Sequence, residues 1–99
     1  MALKKFGFIV TGAGLDPAKH RTTLESSAFG MLAVGVSKPE QGIAVAQAMV
    51  ADGIQLIELC GGFGPIWTAK ILAAIGEAVP VGSVGYGPEA IEKMHALFS

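Results

Sequence analysis

Ile54-Gln55-Leu56-Ile57-Glu58-Leu59-Cys60-Gly61-Gly62-Phe63-Gly64-Pro65 reads as a strand that breaks into a glycine turn. The run from Ile54 to Cys60 is short, mostly apolar and bounded by glycine on both sides, as a buried strand is. Alternation along it puts Leu56, Glu58 and Cys60 on one side and Ile57 and Leu59 on the other. Behind the turn, a helix is expected from Ile66 to Gly76, with Ile71, Leu72 and Ile75 on its buried side. A strand, a glycine turn and a helix in succession form half of a βαβ unit, and the rest of the chain repeats that rhythm.

Upstream, Ser37-Lys38-Pro39-Glu40 has the form of a capping box. It predicts a helix with Ile43, Ala46, Val50 and Ala51 on one face, stopped by Gly53. Before it, Met31 to Val36 is a second apolar strand, and Phe6 to Val10 the first. Between those two strands, Asp16-Pro17 resembles an N-cap followed by proline at the first helical position, which predicts a short helix to about Glu25. Downstream, Val79 to Val84 is the last strand, Gly85-Tyr86-Gly87 its exit loop and Pro88 to Phe98 the last helix. That helix carries Ile91, Met94, His95 and Phe98 at helical spacing. The expectation is one α/β domain over residues 1–99, with a four-stranded, mostly parallel sheet built from βαβ units and flanking helices. Such a sheet is covered on both faces or gains part of its cover by oligomerising.

Composition narrows the function classes. Of the 99 residues, 52% are apolar, and mean hydropathy is +0.56. A domain of this size hides only roughly 60–65% of the surface its unfolded chain exposes. The excess predicts an apolar surface patch and a homo-oligomer. A net charge of −1, with seven Lys and Arg dispersed except at Lys4-Lys5, provides no basic stripe for nucleic acid. The basic start and apolar run to Val10 mimic a signal peptide. The run is broken by Gly12, Gly14 and Asp16 and has no small-residue cleavage site, so it is read as a strand. No stretch has the roughly 18 apolar residues a membrane span requires. Cys60 is the single cysteine, which excludes an intramolecular disulfide and accords with a reducing, cytoplasmic setting. His20 and His95, the two histidines, make no short-range metal motif. No cofactor is implied: Gly12-Ala13-Gly14 has Pro17 at the third glycine place of a dinucleotide fingerprint, and Ser37 ends the second strand where an acidic residue would bind ribose.

In parallel sheets the ligand crevice lies outside the carboxyl ends of the strands, which directs attention to Thr11–Asp16, Val36-Ser37, Glu58–Gly64 and Val84–Gly87. Glu58, a carboxylate among apolar neighbours, is the candidate acid/base group, because burial would raise its pKa toward the useful range. The structural alternative is an ion pair of Glu58 with Arg21 or Lys70. His20 is a second acid/base candidate and Arg21 a holder of anions. Cys60 sits at a strand end as a small hydrophobe or a nucleophile. Gly61, Gly62 and Gly64 let a ligand approach the backbone, while Phe63 and Tyr86 could roof it. Trp67, at a helix start, suits a subunit contact. Two function classes emerge: a small-molecule binder or small enzyme for an anionic or carbonyl-bearing ligand, and a non-catalytic oligomeric or partner-binding module.

These segments carry two resemblances. Asp16-Pro17 with His20-Arg21, Val34-Gly35-Val36, the string Leu56 to Gly64, and Val79-Pro80-Val81-Gly82 resemble members of an uncharacterised bacterial family of small α/β domains, a resemblance that covers nearly the whole chain and implies no activity. Ala46 to Leu59 with Val79-Pro80-Val81-Gly82 is similar to the early strands of keto-deoxy-phosphogluconate aldolases. That second resemblance implies proton transfer by Glu58 at the mouth of parallel strands. The chain is far shorter than the about 250 residues of such a barrel and ends before the strand that carries the Schiff-base lysine, which Lys70 on a helix does not replace.

Overall fold

A computed structural model describes residues 2–99 and has a mixed α/β architecture. In chain order the elements are β1 (Lys5–Thr11), β2 (Arg21–Glu25), β3 (Gly30–Val36), α1 (Gln41–Ala51), β4 (Leu56–Leu59), α2 (Gly64–Ala74), β5 (Val81–Ser83) and α3 (Ile91–Phe98), with single 3-10 turns at Gly61–Phe63 and Pro88–Ala90. The sheet has five strands in the order β2-β3-β1-β4-β5. β1 lies parallel to both β3 and β4, β4 is parallel to β5, and β2 is antiparallel to β3.

The added strand is the segment expected to be helical. Asp16 does start a helical turn: its Oδ1 accepts the Ala18 amide at 2.9 Å, and its carbonyl accepts those of Lys19 and His20. One turn later the chain enters Arg21-Thr22-Thr23-Leu24-Glu25, where two β-branched residues favour the extended state. This segment then pairs Thr22 with Ala33 and Leu24 with Met31. Ser26 shapes the return, its hydroxyl accepting the amides of Ala28 and Phe29, each at 3.1 Å. β2 is exposed along its length, and charged Arg21 and Glu25 at its ends suit an edge strand.

Helix ends show which sequence signals hold. Gly53, at φ 87°, stops α1 as expected. The Gly53 amide donates to the Val50 carbonyl and the Ile54 amide to that of Met49, a Schellman closure with Ile54 buried beneath it. The capping box does not form. Glu40 makes no capping bond, and the Oε1 of Gln41 accepts the amides of Ser37 and Lys38 at 2.8 and 3.2 Å. On α1 the buried residues are Gly42, Ala46 and Met49, with Ile43 and Val50 half-buried and Ala51 exposed.

The core lies on one side of the sheet. Ile9, Val34, Val36, Ile57 and Leu59 from the strands meet Ala46 and Met49 of α1, Ile71 of α2 and Phe63 of the glycine turn. Crossovers between parallel strands are right-handed. The β3–β4 and β4–β5 connections step in the same direction across the sheet, so α1 and α2 lie on the same face. The β1–β3 connection steps the opposite way and would place a helix on the other face, but it contains β2 instead. That face, carrying Phe6, Phe8 and Val10 of β1, Met31 and Ala33 of β3, and Leu56 and Glu58 of β4, has no helix packed flat against it. Phe29 folds onto it, stacked on Phe6 with ring centroids 6.4 Å apart.

α1 and α2 approach closely at Gly42, where a Cβ would come within 2.7 Å of the Phe63 ring and 3.1 Å of Ile71 Cδ1. Gly42→Ala gains about 1 kcal/mol of helix propensity but forces a side chain against a buried, rigid ring at a cost of about 1–3 kcal/mol. We expect a net loss of stability in denaturant unfolding followed by Trp67 fluorescence. A net gain would mean that Phe63 can give way.

Candidate functional site

Three strand ends and α3 enclose a cleft of about 490 Å³, lined by Val10, Thr11, Cys60, Gly61, Gly62, Tyr86, Met94 and Phe98. β1 delivers Thr11 as its last residue, and β4 ends immediately before Cys60. Cys60 Sγ accepts the Thr11 amide at 3.2 Å and lies 3.2 Å from the Thr11 hydroxyl, which ties the two strand ends together at a half-buried point.

The glycines of the turn are required by what presses on them. A Cβ on Gly61 would lie 2.9 Å from the Tyr86 ring and 3.2 Å from the Val84 carbonyl. A Cβ on Gly62 would collide with the Thr11 hydroxyl. The 3-10 turn bonds the Phe63 amide to the Cys60 carbonyl and the Gly64 amide to that of Gly61. The Gly61 and Gly62 amides therefore have no acceptor within the turn. Gly64, at φ 66°, redirects the chain into α2, with Pro65 in its first turn. Gly61, Gly64 and Tyr86 also border a second cleft of about 320 Å³, with Pro65, Ile91 and Met94.

The structure brings Cys60, Gly61, Gly62 and Tyr86 together and places the other candidates elsewhere. Glu58 is exposed, opposite Phe8 and Gly82 in the middle of the uncovered face rather than at the strand mouth. The premise of a buried carboxylate fails there, and so do both expected ion pairs. Arg21 lies three strand positions away on β2, roughly 14 Å. Lys70 on α2 instead lies 4.3 Å from the centre of the Trp67 ring. His20 is exposed, and its Nδ1 accepts the Asp16 amide at 2.8 Å, which makes Nε2 the proton-bearing nitrogen of the neutral ring. His20 and Arg21 border a separate hollow of about 280 Å³ with Leu15 and Gly35. Phe63, expected to roof a ligand, is only 2% exposed and belongs to the core. Sequence reasoning missed Thr11, Met94 and Phe98 as cleft residues. The strand-end rule already reached Thr11, and the spacing of Met94 and Phe98 on the last helix marked the face that α3 turns toward the cleft. Among the described residues, no group of three or more His, Cys, Asp or Glu is placed to hold a metal ion, and no helix is long and apolar enough to cross a membrane.

Residues 4–99 match the profile of a family of unknown function (DUF6506). The chain belongs to this family. No curated protein and no solved structure matches it. Membership covers the whole sheet, all three helices and the cleft, so the glycine turn and its partners Thr11 and Tyr86 all lie within the family's domain.

The contact between Gly62 and Thr11 can be tested directly. Gly62→Ala should destabilise by about 1–3 kcal/mol through crowding. Adding Thr11→Ala removes the hydroxyl that the new methyl group meets, so the double variant should lose less than the sum of the single variants in urea unfolding. Strict additivity would show that the strand ends do not bear on each other.

Proposed function

We propose that this domain binds a small molecule in the cleft at the strand ends, a ligand with an apolar body and a carbonyl or carboxylate group. The observation that carries the reading is the enclosure of bare Gly61-Gly62 backbone by Thr11, Tyr86 and the apolar side chains of α3. Its volume is in the range of small-molecule sites, roughly 300–1,000 Å³. In chemical terms, Val10, Met94 and Phe98 take the apolar body. The Gly61 and Gly62 amides and the Thr11 hydroxyl donate to the ligand oxygen, and the Tyr86 ring covers it from the side. Cys60 serves by fixing Thr11, its sulfur already engaged by the Thr11 amide. Glu58, His20 and Arg21 are not part of this site.

A thermal-shift screen of small aromatic and aliphatic carboxylates and ketones tests the proposal. A ligand at 100 times its Kd stabilises the fold by about 2.7 kcal/mol, which for a domain of this size raises Tm by roughly 10 °C or more. Phe98 is 79% exposed, so Phe98→Ala should leave the unliganded Tm nearly unchanged and weaken binding of the selected compound. Glu58→Gln should leave the affinity unchanged. A selected ligand whose binding depends on Glu58 and not on Phe98 would refute this site.

A further inference from the structure

The uncovered sheet face is an apolar surface without a partner in one chain. Phe6, Phe8, Met31 and Leu56 are half-buried in a contiguous patch, and Leu24 beside them is 67% exposed. One chain exposes 6319 Å², whereas folded monomers of 10.1 kDa expose about 5,300 Å² by the usual scaling with mass. The excess of about 1,000 Å² matches one partner's share of a standard protein interface, about 800 Å². We propose that a second copy of this chain covers the face, sheet against sheet, about a two-fold axis running along β1.

Charge selects both the occupant and the axis. The patch holds Glu58 at its middle and His20 at its edge beside Val10 and Ala33, and the chain has a net charge of −1, so the face does not suit an anionic lipid surface or nucleic acid. Thr22, Ala33, Phe8, Glu58 and Gly82 form one row across the sheet. A two-fold axis perpendicular to the strands would stack β4 on β4 and set the two carboxylates against each other. An axis along β1 sets Phe8 against Phe8 and lays each Glu58 over the partner's Ala33, with Thr22 of the partner subunit next in the row. That axis also keeps the carboxyl ends of both sets of strands at the same end of the dimer. The two α3 helices, which lie at that end next to Val10, then sit at the same end of the dimer. Sheets packed in this way lie about 10 Å apart, the spacing of a β-sandwich core.

The full chain should sediment at twice its monomer mass in the micromolar range, independently of any ligand. Leu24→Lys and Phe8→Lys should each weaken self-association at least tenfold, with circular dichroism and Trp67 fluorescence confirming the fold. Ile66→Lys, at an exposed position on the helix-covered side, should leave it unchanged. Ala33→Glu should separate the copies by opposing the partner's Glu58, and Glu58→Lys in the same chain should restore them. Monomer mass at 200 µM overturns the proposal, as does co-sedimentation with anionic vesicles in place of dimerisation. A dimer sensitive to Ile66→Lys and not to Leu24→Lys also overturns it, and failure of the charge reversal overturns the axis. The readout is mass rather than ligand stabilisation, so its outcome is separate from that of the cleft.

Discussion

The handedness of parallel crossovers constrains everything else in this molecule. β1 is the first strand laid down and the middle strand of the finished sheet, and the chain steps from it once to one side and then twice toward the other. With right-handed connections, the two later steps place α1 and α2 on one face, and only the first step could have covered the opposite face. That first connection is spent on β2. An exposed five-residue edge strand in place of a helix therefore leaves a bare sheet face carrying two phenylalanines and a methionine. The core is built by helices on one side only, with Ile9, Ile57 and Leu59 as its floor.

Where local signals agreed with each other, the sequence predicted the fold well. The strands at Phe6–Val10, Met31–Val36 and Ile54–Cys60 all appear, with β4 trimmed to Leu56–Leu59, and Gly53 closes α1 as its position implies. The segment after Asp16-Pro17 misled because a cap signal is local and says nothing about length. Asp16 makes its turn, and Thr22-Thr23 together with the partner strand β3 decide the conformation of the residues beyond it. Pairing with a neighbour outweighs a weak helical start. The serine-glutamate box failed for a related reason. Gln41, one residue further on, reaches the same amides, and a spacing rule does not rank two acceptors that compete for one donor.

The site was legible as a place and misread in its chemistry. Alternation correctly separated Glu58 from Ile57 and Leu59, but it specifies only sides. Whether a side is buried depends on which connection carries a helix, and that information lies far back along the chain, in β2. A carboxylate that looks enclosed by apolar letters is consequently exposed in the single chain. Phe63 erred in the opposite direction, because a residue in a glycine loop reads as exposed, yet its ring fills the space that Gly42 leaves between α1 and α2. The cleft itself depends on contacts between Thr11, Cys60, Gly62 and Tyr86 that span three separate parts of the chain.

β1 joins these features through its alternation. Ile9 points into the core, Phe8 lies at the centre of the bare face, and Thr11 closes the strand against Cys60 and Gly62. With β3 and β4 hydrogen-bonded on both sides, the strand has little freedom to shift along its axis, since a slip of one residue would exchange its core residues for its surface residues. The cleft thus inherits its rigidity from the core: Thr11 keeps its position because Ile9, two residues earlier, is fully enclosed. α3 is not anchored in that way. It has no buried residue and is attached through Gly85-Tyr86-Gly87. A fixed floor of glycine backbone beneath a lightly held apolar helix can admit a ligand without disturbing the sheet.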